Sequence, residues 1–128
     1  MELFDILTYE YTKVSNILNI PADPVWTPIA SVTALGAVAG TYELKLSIQG
    51  LIADINDSVS VRYRVNGGTW YVYRKEASDP SDTFGFSYGF PWVHAATGDI
   101  TLDVEAQKDV GAAQFDINFA DVIIQRVQ

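Results

Sequence analysis

From Tyr42 onward apolar and polar residues alternate with a period of two. Tyr42, Leu44, Leu46 and Ile48 interleave with Glu43, Lys45, Ser47 and Gln49, so one side of the segment faces a core and the other faces water. That pattern predicts a β-strand, closed by Gly50. Val59, Val61, Tyr63 and Val65 alternate with Ser60, Arg62 and Arg64, and Asn66-Gly67-Gly68 then supplies residues that tolerate positive φ, as a tight hairpin requires. The returning strand, Thr69 to Arg74, sets Trp70 and Val72 against Tyr71 and Tyr73, and an outer face with two tyrosines is expected to pack against something. Residues 75–83 are polar and turn-forming and read as a solvated loop. Phe84, Phe86, Tyr88 and Phe90 alternate with Gly85, Ser87 and Gly89, which predicts a strand whose small side is closely approached by another backbone. Pro91 to Gly98 reads as a connection. Ile100, Leu102, Val104 and Ala106 against Thr101, Asp103, Glu105 and Gln107 form the clearest half-buried strand, and Phe115, Ile117 and Phe119 against Asp116 and Asn118 lead to Val122, Ile123, Ile124 and Val127.

The first 24 residues have a different character. Leu3, Leu7, Tyr11, Val14 and Leu18 recur at helical spacing, whereas Thr8, Tyr9, Tyr11, Thr12 and Val14 favour a strand, and the segment reads as an arm with a weak lean to helix. Pro21, Pro24 and Pro28 remove backbone donors and extend the residues before them, as in a linker or an edge crossing. The expected division is an anchoring arm over 1–24 and a compact domain over 25–128. Seven or eight strands on short links pair antiparallel, because parallel pairing needs long crossovers. The fold class is therefore all-β, an antiparallel two-sheet sandwich or jelly roll preceded by the N-terminal arm.

Composition narrows the functions. With 128 residues, 48% of them apolar, the chain suits one domain with a sizeable core. Charged residues are 19%, below the usual ~25%, as expected where part of the surface is covered by another molecule. A formal charge of −8 disfavours a nucleic-acid partner. No apolar run is long enough for a transmembrane helix and the N-terminus lacks a leader pattern, so a soluble protein without a membrane partner is expected. Zero Cys removes disulfides, thiolate nucleophiles and cysteine-based metal sites.

Candidate chemistry is sparse. His94 is the single imidazole, with Ser87 and Asp99 nearby in sequence, and reads as structural because a triad needs an oriented base within reach of its nucleophile. Asp54, Asn56 and Asp57 are the better of two oxygen-rich loops that could cage calcium, the other holding Glu76, Asp79 and Asp82; both read first as solvated turns. Asp103 and Glu105 stand roughly 7 Å apart on one strand face, a spacing that glycosidases use, but on an open solvated surface without a cleft. No enzymatic activity, cofactor or metal is expected. The candidate contact residues are instead apolar: Leu3, Phe4, Ile6, Leu7, Tyr11 and Ile17 of the arm, which cannot bury them itself, and the rings Trp26, Tyr71, Tyr73 and Trp92.

Ala39-Gly40-Thr41-Tyr42-Glu43-Leu44, the run Val61 to Trp70, Gly89-Phe90-Pro91-Trp92-Val93-His94-Ala95, Gly98-Asp99-Ile100-Thr101-Leu102 and the run Phe119 to Val127 together resemble small jelly-roll structural proteins of tailed-bacteriophage virions, over residues 26–127. The resemblance implies a non-catalytic virion component, made in the host cytoplasm. Within that family it points first to a decoration or cement protein on the capsid exterior, bound to major capsid subunits or other virion proteins, commonly as a homotrimer. A tail or fibre component, or a receptor- or glycan-binding module, is the alternative.

Overall fold

The computed structural model describes residues 9–127, and among them the chain forms eight strands. These are β1 (Tyr9–Ile17), β2 (Thr27–Ala37), β3 (Gly40–Ile52), β4 (Ser58–Val65), β5 (Tyr71–Glu76), β6 (Asp82–His94), β7 (Gly98–Lys108) and β8 (Phe115–Arg126). Sheet A has the order β1-β8-β3-β6 and sheet B the order β2-β7-β4-β5, with antiparallel pairing throughout. Every link except the β4–β5 hairpin crosses from one sheet to the other, which is the jelly-roll arrangement.

The core follows the predicted alternation where one side of a strand is buried. Tyr42, Leu44, Leu46 and Ile48 of β3 face Ile100, Leu102, Val104 and Ala106 of β7 across the sandwich, all buried. Each large aliphatic side chain so enclosed contributes about 1.5–3 kcal/mol. The hairpin also forms as expected. Asn66 and Gly67 take φ of 52° and 69°, the pair of positive values that a primed turn needs, and the Gly68 N–H donates to the Val65 carbonyl at 2.9 Å. The Asn66 side-chain oxygen accepts from the Thr101 N–H at 2.7 Å and ties the turn to β7.

Several expectations are corrected. The lean to helix fails: β1 is a strand, paired with β8 from Tyr9↔Gln125 to Ile17↔Ile117. Backbone pairing with β8 and partial burial of Val14 and Ile17 against the core outweigh a helical spacing that was incidental. Ile20 is buried, and the segment after it is held by Asp23 N–H to Lys108 O and Lys108 N–H to Pro21 O, so the chain from Tyr9 onward is built into the sandwich. Leu3, Phe4, Ile6 and Leu7 lie outside the described residues.

β3 does not stop at Gly50 but runs to Ile52, past a register shift against β8. β6 continues through Pro91 to His94, because an edge strand tolerates proline on its unpaired side. Phe119 points outward although Phe115 and Ile117 point in. Gln49 pairs Phe119 while Gly50 pairs Ile117, so Asn118 is the extra residue of a bulge that reverses the phase and brings Ala120, Val122 and Ile124 into the core. The 75–83 segment is mostly strand ends around a short turn whose Ala77 is buried. Ser78 N–H donates to Asp82 Oδ2 at 2.9 Å and, with Lys75 nearby, holds that carboxyl below its usual range.

Candidate functional site

β5 and β6 are the edge strands of the two sheets on one flank, as β1 and β2 are on the opposite flank. The backbones of β1 and β2 approach each other, whereas those of β5 and β6 remain apart and aromatic rings fill the opening. β6 supplies Phe84, Phe86, Tyr88 and Phe90 from its inward side, and β4 and β5 supply Tyr63, Tyr71 and Tyr73. The rings form a continuous row. Tyr73 stacks on Phe86 at 4.6 Å and 12°, Tyr63 lies 5.4 Å from Phe90 and 5.5 Å from Tyr71, and Tyr88 lies 5.6 Å from Phe90. The inner end is anchored by buried Phe84 packed edge-on against Phe115 at 5.5 Å. Such stacked and tilted pairs add about 0.5–1.5 kcal/mol each beyond their buried area. The outer end stays in solvent, with Tyr71 57% and Tyr88 46% exposed.

Between the sheets at the hairpin end lies a groove of about 470 Å³. Tyr63 and Val65 come from β4, Gly68 and Thr69 from the hairpin, Tyr71 from β5, and Tyr88, Phe90, Pro91 and Trp92 from β6. No lining residue is charged, and the eleven residues from Thr83 to Val93 carry no charge either. The lining is aromatic faces rimmed by phenol and threonine hydroxyls. Burial, then the neighbouring Tyr88 and Tyr71, raise the Tyr63 hydroxyl above the ordinary tyrosine range, so it stays neutral at physiological pH. The indole N–H of Trp92 is buried and has no acceptor, a costly state for a donor.

The other predicted residues fall as follows. Tyr71 and Tyr73 belong to the inter-sheet side of β5, not to an outer face; Trp70 and Val72 take the outer side. Trp92 lines the groove and packs partly against the core. Trp26 is half-buried on the outer side of sheet B: the Arg62 guanidinium lies 4.2 Å from its ring and 4.0 Å from that of Trp70, and the Arg64 guanidinium lies 4.2 Å from the Trp70 ring. Tyr11 is exposed on the outer side of sheet A opposite Ile123, while Ile17 is half-buried against the core, so the arm does bury part of its own apolar surface.

Asp103 and Glu105 do not stand open to solvent. Arg62 donates from Nε and Nη2 to Glu105 Oε1 at 2.9 and 2.5 Å, and Arg64 Nε donates to Asp103 Oδ2 at 3.3 Å. Both carboxylates are half-buried and engaged. His94 is a packing residue, with Nε2 3.0 Å from the Gly98 carbonyl oxygen and its ring edge-on to Tyr42 at 5.8 Å. The Asp54, Asn56 and Asp57 loop is a turn in which Asn56 takes a φ of 69° and Asp57 accepts from the Ala113 N–H at 2.8 Å. Among the described residues no three His, Cys, Asp or Glu side chains converge to hold a metal.

The small side of β6 is not covered by another backbone: nothing lies within 4 Å of where a Gly85 Cβ would be, and Gly89 meets only the Lys45 stem and the Leu44 carbonyl oxygen. Tyr63, Phe86 and Tyr88 were not singled out from sequence as contact residues. Their alternation placed them in a core, and only the separation of the two sheets turns that core edge into a surface.

No model of a known protein family matches the chain, and no curated protein is detectably similar to it in sequence. Solved structures do share its shape. A chain of infectious bursal disease virus, Gx strain, superposes with a TM-score of 0.63 at 8% identity over 94% of this protein and 32% of that chain. This protein thus spans about a third of the viral chain's length. The globular domain of zebrafish complement 1qA protein gives a TM-score of 0.53 at 9% identity, covering 94% of this chain and 96% of that one. The sugar-binding EclA C-terminal domain gives 0.52 at 19% identity, covering 95% and 82%. What these proteins share with the chain is the all-β sandwich.

Proposed function

We propose that the protein is a non-enzymatic structural protein of a tailed-phage virion, a capsid decoration protein that attaches to neighbouring major capsid subunits and stabilises the shell. The observation that carries this reading is the exposed aromatic row contributed by β4, β5 and β6, whose groove and whose Thr83 to Val93 stretch hold no charge. It is a surface suited to adhesion, and the acids and the histidine that chemistry would need are tied up in ion pairs and packing elsewhere. Likeness of fold to a chain of a virus particle supports a structural role, as does a low charged content.

In this reading both sides of the sandwich make contacts: residues 1–8 with exposed Tyr11 grip one capsid subunit, and the aromatic flank, on the side away from β1 and β2, grips the next. Contact area adds stabilisation at about 25 cal/mol per Å², and repeated copies convert modest contacts into firm retention. The test is removal of residues 1–8 followed by reattachment to particles stripped of the protein. An unchanged melting temperature with lost attachment supports the proposal; attachment equal to the full chain overturns it.

A receptor- or glycan-binding module of a tail or fibre is the second reading. The hydroxyl-rimmed groove favours it, as does likeness of fold to a sugar-binding domain.

A further inference from the structure

The groove at the hairpin end has a chemistry specific enough to name its ligand class. We propose that it binds a neutral pyranose of an oligosaccharide, stacked on Tyr71 and Tyr88 with its ring hydroxyls bonded to the hydroxyls of Tyr71, Tyr88 and Thr69. This rests on the flank being a binding face and is independent of where the protein sits in a particle.

Two observations carry it. The first is charge: in a chain of formal charge −8, a groove of about 470 Å³ holds no charged residue, so neither an anionic nor a cationic ligand finds a counter-ion there. The second is the pairing of surfaces. Tyr71 and Tyr88 expose ring faces, while their hydroxyls and that of Thr69 both donate and accept hydrogen bonds. A pyranose has the matching character, an apolar C–H face bordered by hydroxyls that donate and accept. A proline-rich peptide, the other ligand that aromatic grooves take, offers carbonyl acceptors alone along its backbone.

The experiment is titration of the full-length protein with maltotetraose, cellotetraose and β-1,4-galactotetraose, following the Trp92 indole N–H resonance, with tri-galacturonate and a deca-proline peptide as comparators. The expected result is saturable movement of that resonance with at least one neutral tetrasaccharide. Tri-galacturonate should bind at least about tenfold more weakly. Thr69→Val, which removes a rim hydroxyl, should weaken binding about tenfold, equal to one lost hydrogen bond of about 1.4 kcal/mol. Tyr71→Ser, at an exposed site, should abolish it while leaving the melting temperature within a few degrees. No movement with any neutral saccharide, equal binding by Tyr71→Ser, or tighter binding of deca-proline would overturn the proposal. A saccharide site that fails while residues 1–8 are still required for attachment rejects this inference alone.

Discussion

At the scale of single residues, Arg62 joins distant parts of the structure. It lies between Trp26 of the crossing segment and Trp70 of the hairpin and bonds Glu105 on β7, so one guanidinium links three parts of the chain. Arg62→Ala should cost about 2 kcal/mol, from two cation–π contacts and a half-buried carboxylate left alone. The drop is readable as a lower urea midpoint with an unchanged slope. Arg62→Lys should recover less than half, since a point charge cannot stack between two rings; full recovery would show that charge alone matters. Tyr63 makes a pH prediction. Its hydroxyl is raised by burial first and then by Tyr88 and Tyr71, so the folded state favours the neutral phenol. That contribution is whole below the unfolded value of about 10 and is lost as pH rises through the higher folded value. In an alkaline titration of phenolate absorbance, one phenol titrating above the ordinary tyrosine range should disappear in Tyr63→Phe, and an unchanged titration curve above that range would refute the assignment.

At the scale of elements, what could be read from the sequence depended on whether a strand buries one side or two. β3 and β7 were legible because their polar residues sit in strict alternation with core residues, and the Asn66-Gly67 turn because few other residues accept its backbone. β1 was not, since a strand paired on one side only and half in solvent leaves a weak alternation that a helical period can mimic. The tyrosine side of β5 was misplaced because rings on both sides give a period of two without a sign. The outward turn of Phe119 needed the partner strand, for the bulge at Asn118 exists only in its pairing with Gln49 and Gly50. Gly50 is what allows that bulge to pack: a Cβ there would run into the Asp116 carbonyl oxygen and come within 3.1 Å of the Phe115 ring. Gly50→Ala should therefore destabilise by about 1–3 kcal/mol, seen in thermal unfolding, where the same change at open Gly85 should be nearly neutral. Equal effects at both positions would contradict the packing described.

At the scale of the whole molecule, the two flanks differ in what they present. One carries the arm strand and the crossing segment, closed by approach of β1 and β2; the other is wedged open by aromatic rings, and its groove and the Thr83 to Val93 stretch carry no charge. A long edge strand such as β6, uncharged from Thr83 to Val93, is normally kept from self-pairing by cover or by association. The homotrimer that the resemblance to virion jelly rolls implies predicts a light-scattering mass three times that of the chain at micromolar concentration, and a mass of one chain would contradict it. The placement on a shell has a sharper readout. Quantitative mass spectrometry of purified particles gives the number of copies relative to the major capsid protein. Hundreds of copies per particle are predicted for a protein that decorates the shell; a few to a few dozen would contradict it and assign the chain to a tail or fibre.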